Sequence, residues 1–124
     1  AAASCPDWEE MKKITGGGWV TNGKSWHPPI GWFKVYITDE QHPIVKGVKE
    51  FWTYDECYCE LDKKDNISTF ISGKVNNVQM PIGWSSNYGK GTISNISLGH
   101  SAISQENPMF QRLILNSLQF VCKK

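Results

Sequence analysis

The stretch that decides the fold is TISNISLGH at residues 92–100, followed by NPMFQRLILNSLQFV at residues 107–121. The first segment is short and apolar and ends at Gly99, which is typical of a strand that runs into a loop. In the second, Asn107 is a favourable N-cap, Pro108 suits the first helical position, and apolar residues recur at helical spacing. The two segments together predict an α/β fold whose C-terminal helix packs on a sheet.

Further elements are expected upstream. A short helix is predicted before the three glycines at residues 16–18, and an ordered loop rich in tryptophan follows it. A turn or two is expected after His42 and Pro43, so His42 is interpreted as a turn residue. Alternating or apolar runs predict strands at residues 33–37, 54–61, 67–72, 78–84 and 92–98.

Length and charge limit the classes of function. The chain has 124 residues and a mass of 14.0 kDa, so we expect one domain spanning residues 1–124. Thirteen Lys and Arg against 12 Asp and Glu give a net charge of +1, which leaves no basic surplus to hold a polyanion. No apolar stretch approaches the roughly 20 residues of a membrane-spanning helix. Neither nucleic acid nor a membrane is therefore expected as a partner.

The four cysteines are Cys5, Cys57, Cys59 and Cys122, and their spacing matches neither paired zinc knuckles nor a dense disulfide framework. This spacing favours reduced thiols that take part in packing. The N-terminal residues AAASCP lack the basic and apolar regions of a signal peptide. Both observations predict a cytoplasmic protein.

Two histidines are the first candidates for chemistry. His100 follows Gly99 where the last predicted strand gives way to a loop, and strand ends in α/β sheets are common ligand sites. A hydrogen bond to a neighbouring backbone group in the loop explains His100 equally well. His27 lies between Trp26 and two prolines that hold it rigidly, which suits a ligand or an acid/base group. A surface or packing role for His27 has at least as much support.

Glu56 is the third candidate, chosen over the adjacent Asp55. Neighbouring strand residues point to opposite faces, so at most one of these two carboxylates reaches a given site. Glu56 shares its predicted face with Tyr58, and it is our candidate acid or base. Together with His27 and His100 it also has donor atoms for a divalent metal, although so wide a spacing is not diagnostic. The need for a metal cofactor stays open at this point.

Short motifs occur along the chain in an order that resembles the ThuA-like (trehalose utilisation) family. From about residue 8 to residue 121 they are GGGW (16–19), HPPI (27–30), TDEQHPIVKGV (38–48), DECY (55–58), YGKG (88–91), SLGH (97–100) and ENP (106–108). Each motif is weak alone, but their common order makes coincidence improbable.

The resemblance implies a fold similar to class I glutamine amidotransferases, a flavodoxin-like α/β layer with a mixed sheet and a C-terminal helix. It implies a role in the use of trehalose-type disaccharides or keto-sugars, as a carbohydrate-processing hydrolase or isomerase. Sugar binding suits the aromatic residues, because the apolar faces of sugar rings lie well on Trp and Tyr rings. The matching positions carried over are His27, Glu56 and His100 as catalytic candidates and Tyr58 as a substrate-binding candidate. Trp26 and Trp32 are further substrate-binding candidates because of their aromatic rings.

The chain resembles only the C-terminal part of a ThuA-like domain, since the family's first strand and helix units have no counterpart before Ala1. A partial sheet leaves apolar edges and faces open. We therefore expect a homo-oligomer, or a partner chain that supplies the N-terminal half. Two functions follow: an enzyme acting on a sugar, favoured by the histidines, or a non-catalytic sugar-binding or assembly module, favoured by the missing half.

Overall fold

The computed structural model describes residues 5–123. Residues 1–4, which belong to the N-terminal segment that lacks signal-peptide features, lie outside that range. In chain order the elements are α1 (Glu9–Thr15), β1 (Gly17–Gly18), β2 (Gly31–Ile37), a 3₁₀ helix (Pro43–Val45), β3 (Phe51–Asp55), β4 (Asp62–Lys63), β5 (Ser68–Val75), β6 (Val78–Tyr88), β7 (Gly91–Ile96), α2 (Ala102–Glu106) and α3 (Pro108–Val121). Among these described helices, none is both long enough and apolar enough to cross a membrane.

The main sheet has five strands in the order β3-β2-β5-β6-β7, and β1 pairs separately with β4. The predicted α/β class and its C-terminal helix are confirmed. Every strand pair within residues 5–123 is antiparallel, however, where a mixed sheet was expected. The reason is local for β5, β6 and β7, which are joined by tight turns that reverse the chain. Asn76 and Asn77 form one of these turns, both with the positive φ of a type I′ hairpin.

Both predicted helices form where their end signals lie. Helix α1 ends at Gly16, which adopts the left-handed conformation with φ 77° that glycine tolerates best. Helix α3 begins with Asn107, whose side chain accepts a hydrogen bond from the Met109 backbone N–H, and with Pro108 in its first turn. Helix α2, capped by the Ser101 hydroxyl, was not predicted, because its five residues are too few for a helical period to emerge.

The strand expected at residues 54–61 lies earlier, as β3, and its pairing with β2 ends where Asp55 faces Gly31. Beyond Asp55 the side chains still alternate, with Cys57 and Cys59 buried and Glu56 and Tyr58 partly exposed. This segment therefore stays extended but leaves the sheet, and only the Cys59 backbone pairs again, with Trp26 in the long loop. An extended segment free of the sheet can carry a site.

The main core lies between one face of the sheet, the 3₁₀ helix and α3. Its fully buried members include Val35, Ile44, Phe70, Ile71, Ile82 and Leu113. Packing was expected for all four cysteines, and it holds for Cys57 and Cys59 but is wrong for Cys5 and Cys122, which are exposed near the chain ends. Burial raises the pKa of Cys57 to about 12, so its thiol is no nucleophile at neutral pH.

His42 is a buried structural residue, in agreement with its interpretation as a turn residue. Its Nδ1 accepts a hydrogen bond from the Ile44 backbone N–H at 3.2 Å, and its Nε2 lies 2.8 Å from the Ser85 hydroxyl oxygen. Because Nδ1 accepts, the neutral ring carries its proton on Nε2 and donates to Ser85. Packing against Phe70 and Phe120 removes water from the ring, and this burial lowers the pKa of His42.

We predict that His42 makes the fold sensitive to acid. Because its pKa is lower in the folded chain, the unfolded chain binds more protons as the pH falls below the ordinary value of 6.5. The free energy of unfolding then decreases with falling pH, by at most about 1.4 kcal/mol per pH unit from this one group. Urea unfolding at pH 7.5, 6.5 and 5.5 measures it, and the decrease should be shallower in His42→Gln. An equal slope in the variant would contradict the prediction.

Candidate functional site

The structure brings together the three residues selected as catalytic candidates. The Glu56 Oε1 atom lies 3.7 Å from His27 Nε2 and 3.6 Å from His100 Nε2. The side chains are 16% exposed for Glu56, 35% for His27 and 57% for His100. One carboxylate thus faces two imidazoles at the surface, and each contact becomes an ion pair when its imidazole is protonated.

Each imidazole is positioned by its own loop. His27 Nδ1 lies 2.7 Å from the Pro28 carbonyl oxygen, which can only accept, so Nδ1 carries a proton and Nε2 faces Glu56. His100 follows Gly99, whose φ of 100° lies in the region that favours glycine. Gly99 also packs closely on the Phe110 ring of α3, so a side chain at this position would meet that ring. The SLGH motif therefore ends in a sharply defined turn.

Asp55 supports the candidate site from within the fold, although Glu56 was chosen over it. Its side chain is buried, and Oδ2 accepts hydrogen bonds from the Gly99 N–H at 2.7 Å and the Ser104 hydroxyl at 2.6 Å. Oδ1 accepts from the Glu56 N–H at 2.9 Å and the His100 N–H at 3.2 Å. Asp55 therefore fixes the two backbone positions that present Glu56 and His100. The sequence feature that pointed to Asp55 is the alternation of side chains along this segment. It turns Asp55 inward, toward the loop that follows β7.

Aromatic rings form one wall beside His27. The Trp19 ring meets Tyr58 edge to face at 5.3 Å, and the His27 ring lies 6.1 Å from Trp19 and 5.8 Å from Tyr58. Burial, followed by the nearby Glu56 and Asp55 charges, raises the pKa of Tyr58, so the phenol keeps its proton and can donate. Trp19 was not among the predicted binding residues, although its GGGW motif was noted.

The other two predicted binding residues are not part of this aromatic wall. Trp26 pairs through its backbone with Cys59 and leaves its ring partly exposed. Trp32 stands on β2 opposite Tyr54, with the two rings 5.6 Å apart, and is largely exposed. A polar cleft of about 290 Å³ opens on another side of Tyr58, and Lys24, Glu60 and Lys63 are among its lining residues.

The side chains of the candidate site are not arranged as a metal-binding cluster. Within residues 5–123, no group of three or more His, Cys, Asp or Glu side chains is arranged to hold a metal ion. The arrangement suits proton transfer: Glu56 can stabilise either protonated imidazole, while the exposed His100 can exchange its proton with a bound molecule. A second imidazole on the same carboxylate gives that proton an alternative position.

Comparison with known proteins agrees with the motif order. Residues 1–121 match the model of the family described as ThuA, trehalose utilisation. A ThuA-like protein from Parabacteroides merdae has the same fold with a TM-score of 0.78 and 20% identity, over 96% of this chain and 58% of that one. A ThuA-like protein from Bacteroides uniformis gives 0.74 and 19%, over 98% and 54%. The chain thus spans just over half the length of these proteins. Among curated proteins, no match was found.

Proposed function

Because the chain belongs to the ThuA trehalose-utilisation family, we propose that it acts in carbohydrate utilisation on a trehalose-type disaccharide or keto-sugar. The proposal places the chemistry at His27, Glu56 and His100. The observation that carries it is the approach of both imidazoles to a single Glu56 oxygen, at 3.7 and 3.6 Å. Three side chains from distant parts of the chain meet at the surface, where water or substrate reaches them.

His100, Glu56 and Tyr58 each have a distinct proposed role. His100 is the most exposed of the three and transfers a proton to or from a sugar hydroxyl or carbonyl oxygen. Glu56 stabilises the imidazolium that forms and orients the ring. Tyr58, which keeps its proton because burial raises its pKa, donates a hydrogen bond to the bound sugar. Trp19 and Tyr58 offer ring surface for the apolar face of the sugar.

The test compares two substitutions at the site with one matched control. We expect Glu56→Gln and His100→Asn each to lower kcat/KM on trehalose or a keto-trehalose by about a hundredfold or more, because each removes a group that shares the proton. Glu40→Gln makes the same chemical change on an exposed turn and should leave turnover unchanged. Product formation is followed by NMR of the sugar. Equal turnover in all three variants would contradict the assignment.

A non-catalytic sugar-binding or assembly module is the second candidate. The observation that favours it is the coverage of the solved relatives, since this chain spans 58% and 54% of their lengths. A module of this kind would bind the same sugars in the wild type, with Kd changed by Glu56→Gln, but would release no product. Calorimetry beside the turnover assay separates the two functions.

Association with a second copy, or with a partner chain, is proposed for the surface formed by α3 and β7. Strand β7 is the last strand of the described sheet order, so one of its edges has no neighbour there. Beside it, Ile114, Leu115 and Leu118 of α3 are exposed. An apolar groove of about 290 Å³ runs between helix and strand, and Ile96 and Val121 help to line it. Exposed apolar surface of this kind marks interaction sites.

We predict that the purified chain forms a dimer at micromolar concentration. Light scattering after size exclusion should give about twice the 14.0 kDa mass of one chain. Leu118→Asp places a charge in the apolar surface and should return the mass to that of one chain. Val78→Asp changes an equally exposed residue in the β5–β6 hairpin and should leave the dimer intact. A single-chain mass at every concentration would contradict association between copies.

A further inference from the structure

Three of the aromatic side chains on the outer face of β2 and β3 are neighbours, and we call them the aromatic row: Trp32, Tyr54 and Trp52. Trp32 is 61% exposed and Trp52 is 60% exposed. In the antiparallel register Trp32 faces Tyr54, and Lys34 faces Trp52. The two tryptophans are therefore diagonal neighbours, which in such a pair lie about 7–8 Å apart. Core residues such as Val35 and Thr53 point the opposite way, so the row contributes nothing to the core.

Hydrogen-bonding groups lie at one end of the aromatic row, where Lys34 faces Trp52. Lys34 Nζ lies 3.1 Å from a Glu50 carboxylate oxygen and 5.0 Å from the centre of the Tyr36 ring, and Lys74 Nζ lies 5.2 Å from the same ring. Flat rings flanked by charged donors and acceptors match a sugar, which has an apolar ring face and a rim of hydroxyl groups.

The aromatic row begins at the candidate site. Glu56 directly follows β3, and its side chain lies on the same side of the chain as Tyr54 and Trp52, because side chains alternate along an extended segment. Trp52 lies four residues before Glu56, about 13 Å along the strand at the usual rise per residue. A disaccharide held at Glu56 can reach the Trp32–Tyr54 pair. A ligand that also touches Trp52 needs at least a third sugar ring.

The backbone carbonyl groups at the outer edge of β3 are already hydrogen-bonded, so a ligand on this surface would contact the aromatic rings and not the backbone. The Trp52 carbonyl oxygen accepts a hydrogen bond from Asn107 Nδ2 at 3.0 Å, and the Tyr54 carbonyl oxygen accepts one from the Ser101 hydroxyl. Both donors belong to the caps of α2 and α3. They prevent the addition of another strand and hold β3 as a rigid platform.

We propose that the aromatic row forms outer sugar subsites, so that the ligand of this protein is an oligosaccharide of three or more glucose-type rings with its terminal disaccharide unit at Glu56. This inference rests on the proposed function. It adds that affinity increases with the length of the sugar, and that Trp52 is the residue that contacts the third ring.

The test is calorimetric titration with short and long sugars: maltose and maltoheptaose in one series, cellobiose and cellohexaose in the other. In at least one series we expect the long sugar to bind about tenfold more tightly than the short one, the effect of one added stacking contact. Trp52→Ala should abolish this difference, whereas Trp52→Phe, which keeps a ring, should retain most of it. Trp8→Ala removes a comparably exposed tryptophan at the start of α1 and should change nothing.

Two results would overturn the inference: equal affinity for short and long sugars in both series, or a length preference that survives Trp52→Ala. Both leave the proposed function intact if Glu56→Gln still lowers disaccharide turnover. The proposed function fails separately if long sugars bind through Trp52 while Glu56→Gln and His100→Asn leave disaccharide turnover unchanged. The same set of variants therefore distinguishes the two failures.

Discussion

Replacing Asp55 with Asn is expected to lower the free energy of unfolding by about 3–4 kcal/mol, a large loss for a single substitution. Each Asp55 oxygen accepts two hydrogen bonds, Oδ2 from Gly99 and Ser104 and Oδ1 from Glu56 and His100. An amide has one accepting oxygen, so its NH₂ group must face two donors. These donors lose their partner in a site that is almost fully buried.

The measurement is urea unfolding followed by far-UV circular dichroism, with Ser104→Ala as the matched control. Ser104→Ala removes one of the four donors and leaves the carboxylate in place, so we expect it to cost about 1.5 kcal/mol. Turnover should also fall in Asp55→Asn, because the backbone N–H groups of Glu56 and His100 lose their common anchor. If Asp55→Asn destabilises the chain no more than Ser104→Ala does, the anchoring role is wrong.

Trp84→Ala is expected to cost about 3–5 kcal/mol, the usual range for removing a large buried aromatic ring. Trp84 is completely buried on the side of the sheet away from the main core, and it packs with Leu61 and the partly buried Trp19. Its indole N–H donates to the Thr15 carbonyl oxygen at 2.8 Å, which attaches the end of α1 to the sheet. Its removal leaves a cavity beneath the aromatic wall of the candidate site.

Trp84→Phe tests the same residue in a form that should still fold. We expect it to cost about 1–2 kcal/mol, because it keeps most of the buried ring and loses the hydrogen bond to Thr15. Trp8→Ala, at an exposed ring, should stay within about 0.5 kcal/mol of the wild type. Thermal unfolding by circular dichroism ranks the three variants. A Trp84→Ala protein as stable as Trp8→Ala would refute a stabilising role for the small core that Trp84 forms with Leu61.

The sequence predicted elements well where the determining signals are local. The Gly16 stop, the Asn107 cap and Pro108 act within one turn of helix, and both helices form at these signals. The alternation of buried and exposed residues through the 54–61 segment was also predicted, although the strand itself ends at Asp55. Burial depends on the side-chain pattern, whereas a strand boundary depends on where a partner strand stops, which no local pattern records.

The candidate site was also predicted only in part from the sequence. The residue types and motif order selected His27, Glu56 and His100, but their meeting at one carboxylate oxygen depends on how the long loop and the loop after β7 pack around β3. The roles of Asp55 and Trp19 also escaped prediction, because Asp55 contacts Gly99 and Trp19 contacts Tyr58, both distant in sequence.

The sequence by itself therefore determined the α/β class, the ends of the main helices, the inward and outward faces of the chain, and membership of the family. The tertiary structure alone decided the pairing of β2 with β5, the buried carboxylate beneath the His100 loop, and the exposed aromatic row beside Glu56. The physical reason is the separation in sequence over which each interaction acts. Caps, turns and alternation are set by neighbours within a few residues, whereas contacts between distant segments form only when the whole core packs.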